Sequence, residues 1–154
     1  MSKNKRLTKE DLQKYYSIYK ITQDEHQEWH AWTWAYPVGT TRINPLNGER
    51  QEKTFVELPI IERVQQNKKV EDKIYKFILT KCRGFNIYLP LARVLYAYFY
   101  EEVPEGMQVD HIDNNPSNNT LDNLQLLTPS ENCKKKFKDN SGVRINGRES
   151  QTKQ

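Results

Sequence analysis

An Asp-His pair stands at Asp110 and His111, with one asparagine twelve residues beyond the histidine, Asn123, and another twenty-one beyond it, Asn132. Side chains of these types suit phosphodiester hydrolysis. That reaction needs a water stripped of a proton, a sink for the charge on the pentacovalent phosphate and help for the departing 3′ oxygen. One histidine and one hard divalent cation can supply all three. A lone Asp-His pair arises often by chance, and asparagine-rich loops are usually only turns. The joint spacing gives these residues their weight.

The elements that must position them are legible around the pair. Residues 107–111 read as a strand, which places Asp110 and His111 on opposite faces unless the strand ends there. The run 112–122 is crowded with Asn, Asp and Pro, residues that bond their own backbone and make turns. Residues 124–127, Leu-Gln-Leu-Leu, can form the returning strand. Thr128, Pro129 and Glu131 then supply an N-cap, a first-turn proline and the third-position acid of a capping box. Asn132 falls on the first turn of the helix so begun, beside the hairpin. The order is strand, loop, strand, helix.

With those residues in view, the segment 107–136 resembles the HNH endonuclease family, especially the subgroup found among phage and intron-borne homing endonucleases. The matching pattern is Asp-His, a turn, an N-x-x-N/D step, Leu121-Asp122-Asn123-Leu124, then Thr128 through Glu131-Asn132. The resemblance implies a ββα-metal unit with His111 as the general base. It implies Asp110 and Asn132 as oxygen ligands of a single Mg²⁺ or Mn²⁺. Asn123 would pin the loop by side-chain to backbone bonds and so orient His111. Upstream the likeness is weaker: a hairpin and a helix lead into the motif, with Leu91-Ala92-Arg93-Val94-Leu95 where relatives often carry His-Arg-Leu-Val-Ala.

The remaining chain is read from its own patterning. Thr8 with Asp11 opens a helix expected to run to about Gln23, with Leu12, Tyr15, Tyr16 and Tyr19 at helical spacing. Residues 26–36 alternate aromatics as a strand does. His26 and His30 lie four apart with no third ligand nearby, so they read as surface or packing residues. Residues 54–58 read as a further strand, followed by a charged connector to about Asp72. Residues 73–80 and 85–89 form a hairpin turning at Arg83-Gly84, and Pro90 opens a helix over 91–100. Leu91, Val94, Leu95, Tyr98 and Phe99 make its buried stripe.

Composition and charge narrow the class. The chain has 154 residues, 36% hydrophobic and 29% charged, with 9 Tyr and 3 Trp, which suits one ordinary folded domain with appendages. The net charge of +4 is unevenly distributed. Residues 101–131 hold seven acidic and no basic residues, and residues 132–154 hold seven basic and two acidic ones. An acidic island between basic flanks suits a cation site surrounded by phosphate contacts. Lys134, Lys135, Lys136 and Lys138 follow Asn132 and are candidates for those contacts, as are Arg83 and Arg93. The two cysteines, Cys82 and Cys133, form no C-x-x-C pair, so no structural zinc is expected. No apolar run is long enough to span a bilayer and the first residues lead into no signal peptide, so a soluble, cytoplasmic protein without membrane contact is expected.

The expected fold class is α+β: a small HNH motif preceded by a β-hairpin and helix, with an additional N-terminal α/β region. Residues 1–70 form that N-terminal region, 71–138 the nuclease domain with its core at 107–136, and 139–154 a basic polar tail. The expected activity is metal-dependent cleavage of double-stranded DNA by a monomer or homodimer, nicking or cutting both strands. The competing expectation is a non-catalytic DNA-binding protein on a decayed HNH scaffold. An RNA-directed role is a third, since the sheet aromatics could stack bases, though they are more simply core.

Overall fold

The computed structural model describes residues 5–65 and 73–135. Its architecture mixes helices with several small antiparallel sheets. The described chain begins with β1 (Leu7–Thr8) and α1 (Lys9–Tyr16), whose start is a capping box: Thr8 Oγ1 accepts from the Asp11 N–H and Asp11 returns a bond to the Thr8 N–H. The helix stops well short of Gln23. Ser17 adopts the left-handed conformation at φ 56°, and the chain continues as β2 (Lys20–Gln23). Pairing with β3 (Trp29–Ala35) sets Ile21 opposite Ala31, and both are buried. The helical spacing of the tyrosines therefore yields to a long-range strand pairing, and Tyr15 and Tyr19 are exposed.

Strand β4 (Thr54–Leu58) completes a sheet of order β2–β3–β4. His30 bonds Asp24 and Glu57 on the face of this sheet. The His30 bond, with help from the Glu28 N–H, holds the Asp24 carboxyl at about 2. His26 is exposed.

The charged connector expected before Asp72 contains a strand instead, β5 (Ile60–Gln65), entered after Pro59. Its charges are accommodated by the pleat: Glu62 stands opposite Lys76, and the Arg63 guanidinium lies 4.7 Å from the Tyr88 ring centroid. Partners β6 (Lys73–Cys82) and β7 (Phe85–Pro90) complete a β5–β6–β7 sheet. Strands on either side of the boundary expected near residue 70 thus share one sheet. Arg83 and Gly84 both take positive φ, 54° and 83°, the geometry that closes a two-residue hairpin with the twist of its strands.

Helix α2 (Leu91–Tyr100) is the centre of the core. It packs on α1, β6 and β7, and on two later strands, β8 (Glu102–Val103) and β9 (Gln108–His111). Leu91, Ala92, Val94, Leu95 and Ala97 are buried, together with Leu12, Ile18, Ile78 and Val103 from both halves of the chain. Phe99, expected in the stripe, lies at its edge and meets Trp29 at 5.5 Å between ring centroids. Truncating Leu95 to alanine should cost about 2–5 kcal/mol, read from urea denaturation, because its cavity would sit where the two halves meet. No helix among the described residues is long and apolar enough to cross a membrane.

Candidate functional site

β9 ends at His111, and β10 (Leu124–Leu127) pairs with it antiparallel: Leu124 faces His111, Gln125 faces Asp110, Leu126 faces Val109 and Leu127 faces Gln108. Cross-strand partners share a face, so the hairpin is two-sided. One side carries Val109, Leu124 and Leu126 against the core. The other carries Gln108, Asp110 and Gln125 and meets a third helix, α3, at 129–135. The capping box anticipated at its start is formed, with Thr128 Oγ1 accepting from the Glu131 N–H at 3.1 Å and Glu131 accepting from the Thr128 N–H at 2.9 Å.

This arrangement brings Asp110 and Asn132 to the same side of the hairpin. Asn132 Nδ2 donates to Gln108 Oε1 at 2.6 Å, and Gln108 is two residues from Asp110, on the same pleat face. Gln125 Nε2 donates to Asp110 Oδ2 at 2.8 Å. The Asp110 carboxylate is largely covered and pairs with the Lys135 ammonium at 2.9 Å. Lys135 Nζ also donates to the His111 carbonyl at 3.0 Å and to Asn114 Oδ1 at 2.5 Å. A cation is therefore already seated among three oxygen atoms beside Asp110, each of a kind that binds hard divalent ions. Among the described residues no group of three or more His, Cys, Asp or Glu side chains is placed to hold a metal. The oxygen donors at this site are instead one carboxylate, amides and a carbonyl.

The loop between the strands is organised by Asn123, which ends a 3-10 turn, Leu121–Asn123, and is 9% exposed. Its Oδ1 accepts from the Asp113 N–H at 3.1 Å, and its Nδ2 donates to Asp113 Oδ1 at 3.0 Å and to the Asn118 carbonyl at 2.8 Å. Its own carbonyl accepts from the Ile112 N–H. Asn118 Nδ2, the Asn115 N–H and Asn123 Nδ2, in falling order of effect, hold the Asp113 carboxyl at about 2. Asn123 thus reaches His111 through the backbone. The side chain that meets the imidazole is Asn119, whose Oδ1 lies 2.8 Å from His111 Nε2.

The basic candidates are placed differently from one another. Lys134 is exposed, whereas Lys135 turns inward onto Asp110. Arg93 is half-buried, and its guanidinium donates to the main-chain carbonyls of Met107 and Lys5. Burial lowers its pKa. Arg83 is exposed at the tip of the β6–β7 hairpin. The opposite end of β6 touches the motif loop, where Lys73 Nζ donates to the Asn114 carbonyl and Ser117 Oγ to the Ile74 carbonyl. At about 3.3 Å per strand residue, Arg83 is roughly 30 Å from that contact. Lys136 and Lys138 lie outside the described residues.

Sequence reasoning missed Asn119, Gln125, Gln108 and Lys73. Gln125 carries a signal, as the one polar residue of β10 set opposite Asp110 once the strands are paired. Asn119 carries none, because burial alone separates it from the other asparagines of its loop.

Comparison with known proteins bears on the same region. Residues 91–134, from the start of α2 into α3, match the HNH endonuclease family. The SPbeta prophage-derived protein YosQ of Bacillus subtilis, named for an HNH homing endonuclease, is 44% identical over 50 residues, 32% of this chain and 28% of its own. An uncharacterized HNH endonuclease of Acanthamoeba polyphaga mimivirus, L560, is 41% identical over 59 residues, 36% of this chain and 32% of its own. Protein 3.8 of Escherichia phage T7 is 57% identical over 30 residues, 20% of this chain and 25% of its own. The chain spans about a third or less of the length of these curated relatives. No solved structure matches significantly. The segment from α2 into α3 is thus similar to the HNH endonuclease family, and the resemblance read at 107–136 extends upstream over α2.

Proposed function

We propose that the protein is a metal-dependent HNH endonuclease that hydrolyses phosphodiester bonds of double-stranded DNA, of the homing-endonuclease-like kind carried by phages or mobile elements. The observation that supports this reading is that one strand–loop–strand–helix unit carries Asp110 and Asn132 on the same side of its hairpin, with His111 ending the first strand and Asn123 bonding within the loop; we read this unit as a ββα-metal motif. In this reading residues 71–138 are the nuclease domain, and residues 1–70 are a substrate-engaging or supporting region. His111 takes the proton of the attacking water. Asn123 holds the loop that carries His111. Lys134, with Lys136, Lys138 and Arg83, contacts flanking phosphates, and such contacts weaken as salt rises.

The donors fit a hard divalent cation, Mg²⁺ or Mn²⁺, held by Asp110 and Asn132. The Lys135 ammonium, seated between Asp110, Asn114 and the His111 carbonyl, is a stand-in for such a charge. When bound, the ion would supply positive charge against the developing phosphorane and the leaving oxygen. Lys135 must then yield its place. Replacing Lys135 with methionine is expected to tighten Mn²⁺ binding by roughly fivefold, the equivalent of about 1 kcal/mol for a partly exposed ion pair. Electron paramagnetic resonance of free Mn²⁺ reads this without reference to activity. Unchanged affinity would place the cation away from the Lys135 cradle.

Supercoiled plasmid tests the function. Conversion to open circles or linear DNA with Mg²⁺ or Mn²⁺, abolished by EDTA, is the expected result, with 5′ phosphate and 3′ hydroxyl ends. The ratio of circles to linear product separates a nicking enzyme from one that cuts both strands. The competing reading, a non-catalytic DNA-binding protein on a decayed scaffold, is favoured by one observation: Lys135 already neutralises Asp110. Binding without cleavage under every metal condition would decide for it.

A further inference from the structure

We propose that Asn119 is a positioning residue that sets the tautomer of His111, and that Trp29 of the N-terminal sheet holds Asn119 in register. The inference rests on the reading of His111 as the general base. It gives the N-terminal region a defined part in that site.

Asn119 is a buried polar residue, 7% exposed, in a loop whose other asparagines mostly serve turns. Its side-chain oxygen lies 2.8 Å from His111 Nε2. An amide oxygen only accepts, so Nε2 carries the hydrogen of this bond, and in the neutral imidazole the lone pair is left on Nδ1. The bond therefore selects which nitrogen can take a proton and fixes the plane of the ring. Partners of this kind typically change function by about 10- to 100-fold when lost.

The second contact lies on the backbone of the same residue. Trp29 Nε1 donates to the Asn119 carbonyl at 2.8 Å, a bond that joins positions 90 residues apart. Trp29 is itself held by its ring contact with Phe99 near the end of α2. The chain of contacts runs from α2 through the β3 tryptophan and the loop carbonyl to the amide and then the imidazole. A tryptophan in this place gives both ring packing and a donor, which phenylalanine would only half replace.

The experiment is long-range ¹H–¹⁵N correlation of the histidine imidazoles, at a pH where they are neutral, in the full chain and in Asn119→Leu and Trp29→Phe. The wild-type His111 resonances should report a single Nε2–H tautomer. Asn119→Leu should give a mixture, with plasmid affinity unchanged and the cleavage rate down about 10- to 100-fold. Trp29→Phe, which keeps an aromatic ring at this position, should shift the same resonances part of the way and lower the rate less, and it tests the idea should Asn119→Leu fail to fold. Identical tautomer patterns in all the proteins would overturn the proposal even if wild type cleaves DNA. Altered tautomers in a protein that cuts nothing would support the positioning role while removing the general-base reading.

Discussion

With His111 replaced by alanine, the protein is expected to bind DNA as before and to cleave it about 10²- to 10⁴-fold more slowly, the usual contribution of a positioned acid or base. The substitution is well placed to separate chemistry from folding. His111 is the last residue of β9 and only partly buried, so the backbone pairing with Leu124 survives the loss of the side chain. The thermal midpoint should move little, since among the described residues the side-chain bond removed is that to Asn119. Single-turnover rates with saturating protein, beside a binding titration, give the comparison. A variant that cuts as fast as wild type would take the proton transfer away from His111.

Asn123→Ala is expected to lower stability and activity together. Its side chain is buried and makes three hydrogen bonds, two to Asp113 and one to the Asn118 carbonyl. Alanine leaves the Asp113 N–H and the Asn118 carbonyl without these partners. Each such group costs roughly 1–3 kcal/mol when it is kept from water, so a total loss of about 2–6 kcal/mol is the upper range expected in urea denaturation, together with slower cleavage. The pH dependence adds a second reading. The Asp113 carboxyl is held at about 2 in the folded protein against an ordinary value of 3.8. A lowered carboxyl stabilises the fold above its unfolded value, and that stabilisation is lost as pH falls from near 4 through about 2. Removing Asn123 takes away one of the donors responsible, so the acid limb should become shallower. Asn123→Asp would set a second carboxylate against Asp113. It should be worse than alanine at neutral pH and recover in mild acid.

Features written in short-range chemistry were legible in the residues alone. The capping boxes at Thr8 and Thr128 need only partners three positions apart, and both form. The Arg83-Gly84 turn follows from the backbone freedom of glycine and the run of apolar residues on each side. The β9–β10 hairpin and the helix after it follow from alternation, turn residues and a cap within one short segment. That segment also holds every residue of the Asp110, His111, Asn123 and Asn132 set, which is why these candidates could be named from the sequence alone.

Tertiary structure decided what depends on a distant partner. Ile21 ends in a strand because Ala31 and the core beneath offer it burial, and no helical periodicity in residues 8–23 reveals that. The β5 strand hides behind Glu62 and Arg63 until Lys76 and Tyr88 are set across from them. The inward turns of Lys135 and Arg93 depend on oxygen atoms far along the chain, and their charge alone pointed outward to phosphate. Asn119 is the clearest case. Its residue type is that of any turn asparagine, and only the folded chain buries it, bonds its carbonyl to Trp29 from 90 residues away and sets its amide beside His111. Local hydrogen bonds are encoded by neighbours, whereas burial is a property of the whole chain, and the second sets which of several identical side chains faces the site.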